Sequence, residues 1–336
     1  MSYSVTEEYF SGQGVCMIGT RDTNGKPAGL RPLGNVSALA IKNAVTTLEH
    51  KESTTGQRGT DLRLATDVKV SLDMTMENFN SENLAMTTRG TATVVPGASV
   101  TAEAINAYLG RVSPLAHIKT SAVVVKQGAT TLIEYTNDST PWDYKKNTDA
   151  GSLQFNDGAV LAWSAAGIVA SGVTVGATTV ITVANTAVAG GKVYLRGFAG
   201  ADAAMLNNLS FTITVATPTA ITIALDTTAK VITFATSKVV WDNMALTVDY
   251  TYASQTRTDA FTQGSPEMYM RFEGLNTAQN NAPVVVEIFK YSTDPTQDLS
   301  LISDTVQSFV MSGSVLKDSK QATGSQYYRV TKIDAA

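Results

Sequence analysis

LRLATDVKVSLDMTM, residues 62–76, decides the fold class of this chain. Leu62, Leu64, Val68, Val70, Leu72, Met74 and Met76 fall on one parity, and Arg63, Asp67, Lys69, Ser71, Asp73 and Thr75 on the other. Side chains alternate across a strand, so the stretch predicts one long β-strand with a dry and a wet face. At about 3.3 Å per residue it would run roughly 50 Å, whereas strands of 5–6 residues are usual. One small domain rarely covers a face that long, so the strand points to a wall built from several copies of the chain.

Working outward, residues 31–49 read as a second long strand, and HKESTTGQRG (50–59) as the polar loop joining the two. Beyond the long strand, NSENLAMTTRG predicts a short helix. Asn80 suits its N-cap, Glu82 its first turn and Gly90 its C′ position. Strands are expected at 91–95, 121–126 and 130–135, and a second short helix over 101–109. Residues 1–30 read as an arm followed by a hairpin at Asn24-Gly25. The last strands are EMYMRFEG, PVVVEIFKYS, LISDTVQSFVMSGSVLKD and QYYRVTKI.

The texture changes at Gly158. Residues 159–236 are almost free of charge and dense in Thr, Val, Ala and Gly, with short strands spaced like a small sandwich or barrel. The expected organisation is a discontinuous core domain, 1–158 with 237–336, carrying an inserted all-β domain on its surface at 159–236.

Hydrophobic residues make up 43% of the 336 and charged residues 16%, so a real core lies under a surface of Thr, Ser, Asn and Gln. The net charge of −4 lacks the basic footprint of a nucleic-acid grip, though it does not argue against a surface that lets DNA slide past. One cysteine, Cys16, leaves no internal disulfide framework and fits a reducing cytoplasm. The first residues, MSYSVTEEYF, have neither the basic nor the apolar region of a signal peptide. No apolar run approaches the ~20 residues of a membrane helix.

Catalytic chemistry finds little purchase. The two histidines, His50 and His117, lie in a polar loop and just after Pro114. With one cysteine there is no zinc spacing, and Cys16 sits in a Gly-rich stretch that offers no activating partner. GTRDTNGKP (19–27) has five residues between its glycines and Pro after its Lys, so it reads as a turn and not a phosphate loop. The acidic residues near Asn137, Asp138 and Asp143 lack calcium-loop spacing. Trp142, Tyr144 and Trp163 would serve either as a sugar platform or as core. No enzyme, cofactor or metal site is expected.

Three stretches together resemble the major tail tube protein of long-tailed bacteriophages: residues 30–90, ALTVDYTYAS (245–254) and residues 267–318 followed by YYRV. They follow that family's order of strand, long polar loop, amphipathic strand and short helix. The segment KVYLRGFAGADAAMLNNLSFTITVATPTAITIAL (192–225) resembles the small β-barrel that recurs as an add-on in phage structural proteins. The resemblance implies a virion protein, made in the host cytoplasm and assembled as homo-hexameric rings that stack into a tube. Tape measure and tail terminator proteins would be its partners, and DNA would pass without specific binding. It also implies inter-ring contacts through the arms, the tail and the 50–59 loop, with His50, Lys51, Glu52, Gln57 and Arg58 as the contact residues. The alternatives are another β-rich virion component, a carbohydrate-binding surface protein or a glycan-degrading enzyme.

Overall fold

In the computed structural model the described residues are 8–54, 56–137, 139–157, 167–225, 232–234 and 236–333. The chain is mainly β and forms two compact units, Met1–Val94 with Thr256–Ala336 and Val95–Gln255.

The first unit is built on an eight-stranded antiparallel sheet. Its N-terminal strands are β1 (Gly12–Thr20), β2 (Arg31–Pro32), β3 (Val36–Lys51) and β4 (Thr60–Met76). From the C-terminal part come strands Glu267–Asn276, Ala282–Thr293, Phe309–Val315 and Tyr328–Lys332. The path runs β2, β1, Glu267–Asn276, Ala282–Thr293, Phe309–Val315, β4, β3, with Tyr328–Lys332 paired to Ala282–Thr293. The path has two ends, so among the described residues this sheet does not close into a barrel. Its core gathers Cys16, Ile18, Leu33, Leu72, Met74, Met76, Met270, Tyr291 and Met311. The buried Cys16 thiol is pushed up to about 11 by desolvation, which keeps it protonated and inert.

Helix α1 (Ser81–Thr87) starts as its sequence dictates: Asn80 Oδ1 accepts the Asn83 amide at 2.7 Å. Its C-terminus differs from expectation. Arg89, not Gly90, takes the left-handed conformation, at φ 49°. Arg89 is held there by its guanidinium, which donates to Thr293 O at 2.6 and 3.1 Å. Gly90 serves another need, since a Cβ there would lie 2.4 Å from Asp259 O. The turn at Asn24-Gly25 forms as expected, with Asp22 Oδ1 accepting the Asn24 and Lys26 amides.

The second unit holds a six-stranded, a four-stranded and a three-stranded sheet. Residues 101–109 are not a helix. Strand Ala98–Ala107 pairs with Met244–Tyr252. The Ala and Glu of TAEAINA favour a helix locally, but burial of Ile105 and Ala107 against that partner decides otherwise. A bulge in this pairing puts Ala102 at φ 56° and hid the alternation from a parity count.

The unit boundaries also differ from the expected insertion at 159–236. Strand Lys192–Arg196, inside that segment, pairs with Lys238–Trp241 outside it. Val193, Ile213 and Ile221 share one core with Leu109, Leu153, Leu246 and Val248. The Thr/Val-rich segment therefore belongs to a larger unit that begins near residue 95. Trp163 and most of 226–235 lie outside the described residues.

Candidate assembly surface

β3 and β4 form a hairpin along 15 paired positions, from Val36↔Met76 to Lys51↔Thr60. Its tip is closed by the Glu52 amide donating to Gly59 O at 2.9 Å. Its two halves differ. In the half near the core, Val70, Leu72, Met74 and Met76 are buried and alternate with half-buried Ser71, Asp73 and Thr75. That half is flanked by β3 on one side and by Phe309–Val315 on the other. From Thr60 to Lys69 every residue of β4 is exposed, and among the described residues its only partner strand is β3.

The dry face expected over 62–76 is therefore dry only from Val70 onward. Leu62 and Leu64 are each 49% exposed and Val68 45%, and on β3 Val45 and Leu48 are 56% and 59% exposed. Nor do the apolar residues share one face. The register shifts between Thr46 and Thr47, which pair with Asp67 and Ala65 and leave Thr66 as the extra residue. The Thr66 hydroxyl donates to Thr46 O at 3.1 Å. One inserted residue reverses the alternation beyond it. Val45 and Val68, a cross-strand pair, continue the core face. Leu48 pairs Leu64 and His50 pairs Leu62 on the opposite face. The ribbon thus presents an apolar pair on one face and an apolar patch on the other.

Its charges cancel. Lys42, Lys51, Arg58, Arg63 and Lys69 are matched in number by Glu49, Glu52, Asp61, Asp67 and Asp73, five against five. Lys42 pairs with Asp73, Arg63 with Glu49, and His50 Nδ1 with Asp61 Oδ1 at 2.7 Å. Of the expected contact residues, His50, Lys51, Gln57 and Arg58 are exposed around the tip and Glu52 is half-buried. Glu52 Oε2 accepts from the Thr54 hydroxyl at 2.7 Å, and Arg58 adopts φ 51° to turn the chain.

The two sheet edges are guarded differently. One ends in β2, two residues long and including Pro32, a short and poorly pairing edge. The other ends in β3, whose outer side has no strand partner among the described residues over 16 residues. Neither Pro nor Gly interrupts it. Long unguarded edges are what single soluble domains avoid.

The other aromatic and acidic candidates resolve differently. Trp142 and Tyr144 are 7% and 2% exposed, so neither offers a face to a sugar. His117 stacks on Tyr252 at 3.6 Å and its Nδ1 lies 2.9 Å from the Tyr250 hydroxyl. Among the described residues no group of three or more His, Cys, Asp or Glu is placed to hold a metal. No helix among them is long and apolar enough to cross a membrane.

The chain belongs to the family described as "Protein of unknown function UCP028589", which matches residues 9–187 and 164–331 and so runs through both units. No curated protein matches it.

Proposed function

We propose that this protein is a structural subunit that self-assembles, through the β3–β4 hairpin, into stacked hexameric rings forming the tail tube of a long-tailed bacteriophage. The observation that carries the reading is the distal hairpin. Ten residues of β4 and their partners on β3 form a two-stranded ribbon, which is marginal alone in water. It exposes five large aliphatic side chains and a free strand edge. A neighbouring copy laid along β3 extends the sheet, satisfies the edge and buries those side chains. Repeated round a closed ring, the same contact leaves no edge exposed.

Each of the five side chains is already about half covered, so covering the rest contributes on the order of 5 kcal/mol per contact. That offsets only the low end of the cost of association, so backbone pairing along β3 and the cooperativity of ring closure supply the remainder. The balanced charge of the hairpin makes a wall that neither grips nor strongly repels phosphates. A net negative lumen, expected from the overall charge, has to draw on other elements. The second unit, Val95–Gln255, of which residues 159–236 are a part, would decorate the outside, and the tape measure and tail terminator proteins would meet the tube at its lumen and end. Catalysis plays no part in this role.

Native mass spectrometry tests the stoichiometry. Six-subunit species and their multiples are expected above a threshold concentration. Monomer alone, over a wide range of concentration and salt, refutes the proposal.

A further inference from the structure

The first unit exposes a second apolar element, at the end of the sheet opposite the hairpin tip, where Phe309 pairs with Met76. Between strands Ala282–Thr293 and Phe309–Val315 the chain leaves the sheet. Its root is pinned, with the Thr296 amide donating to Thr87 O at 2.8 Å and the Thr296 hydroxyl to Val310 O at 3.0 Å. The sequence predicts a strand over 301–318, but residues 301–308 are irregular, and all of them except half-buried Gln307 are exposed. Ile302 is 95% exposed, Val306 79% and Leu301 74%. Asp298 precedes them and Asp304 lies among them, and no Lys or Arg occurs from 294 to 316.

The same unit holds an apolar groove of about 290 Å³, lined chiefly by Phe10, Val284, Val286, Val330 and Ile333 with Lys332 at its rim. Val286 also packs against the unit's core, so the groove is an end of that core left uncovered by the described residues. Phe10, Val330 and Ile333 are each more than half exposed. Lys332 holds Glu8 at 2.5 Å at the rim.

Arm and groove stand at opposite ends of one strand. Val286 and Val284 lie seven and nine residues before Thr293, roughly 23–30 Å along the strand. Ile302, six residues beyond the pinned Thr296, reaches only about 20 Å at full extension. The arm cannot fill its own groove.

We infer that the arm at 297–306 docks into the Phe10–Val284–Val330–Ile333 groove of a second copy of this chain. Apolar side chains meet apolar walls, and Asp298 or Asp304 approaches Lys332. The contact is head-to-tail, so it propagates along the direction of strand Ala282–Thr293 and does not close on itself in a pair. The contact rests on the tube reading only for its place, which is between one ring and the next.

Two full-length single variants test it, Ile302→Cys and Val330→Cys. Cys16 stays in both, since it is buried. Mixed under mild oxidation, they are expected to give a disulfide-linked dimer that neither gives alone, with mass spectrometry placing the link between positions 302 and 330. No excess of dimer in the mixture overturns the inference. Ile302→Asp, whose side chain touches no core, is expected to keep the wild-type melting temperature while losing stacked assemblies. Normal tubes from that variant also overturn it. The two readings fail separately: tubes without the link remove the arm contact, whereas the link in open chains without tubes removes the tube.

Discussion

Thr66 shows how a single residue redirects a strand. It carries no apolar surface, yet as the extra residue in the β3–β4 register it sends Leu62 and Leu64 to the face opposite Val68. A parity count along 62–76 cannot see this, because a bulge is fixed by how two strands pair and not by the order of residues in one. Deleting Thr66 should restore the alternation, leave the subunit folded and disrupt assembly, which microscopy beside a thermal melt would reveal. Leu72, fully buried, gives the opposite pattern. Leu72→Ala should destabilise the dissociated subunit by about 2–5 kcal/mol in denaturant titration. Leu64→Ala should stay within about 0.5 kcal/mol of wild type, yet weaken association. Equal damage from both would place Leu64 in the subunit's own core. Asp318 reports on acid stability. Its burial raises the carboxyl, but hydrogen bonds from Gln321, Arg21 and the Lys320 amide outweigh this and hold it below the usual range. A carboxyl lowered by folding adds stability above its unfolded value near 4, and that stability is lost as pH falls through the folded value. Asp318→Asn should therefore flatten the decline in stability below about pH 4, as measured by unfolding at stepped pH.

At the scale of elements, the sequence was most legible where local and long-range preferences agree. The strand over 60–76 and the Asn80 cap follow from alternation and capping chemistry, and the structure has both. The strand expected over 31–49 is broken at residues 33–35 into β2 and β3, which sit at opposite edges of the sheet, and β3 runs on through Lys51 and shortens the loop to 52–59. Reading failed where a distant partner decides. TAEAINA looks helical until Met244–Tyr252 lies beside it, and residues 301–308 read as the start of a strand but pair with no strand among the described residues. The assembly surface was half legible: Leu62, Leu64 and Val68 were named, but Val45 and Leu48 on β3 were not, nor was the exposure of any of them, because one strand does not say where its neighbours stop. Loop-closure entropy grows slowly with length, so replacing residues 53–58 by Asn-Gly should leave the subunit folded. With the arm at 297–306 bridging rings, tubes should still form from this variant. If only single rings appear, the hairpin tip and its His50, Lys51 and Arg58 carry the ring-to-ring contact instead.

For the whole molecule, the sequence showed a chain whose two ends build one sheet around a middle segment, but it placed the division at the change of composition. The division lies at Val95 and Gln255, because hydrophobic packing ignores the boundary between charged and uncharged surface. Removing 159–236 should therefore expose the Leu246–Val248 core and leave insoluble protein, whereas removing 95–255 behind a short Gly/Ser linker should leave the first unit soluble. The central claim concerns neither unit alone but the unpartnered hairpin between copies. Cryo-electron microscopy of the purified, full-length chain tests it most directly. The account predicts six-fold rings in which β3 and the distal half of β4 are paired and covered by the adjacent subunit. Assemblies of another kind, or particles in which Val45, Leu48, Leu62 and Leu64 still face solvent, would contradict it.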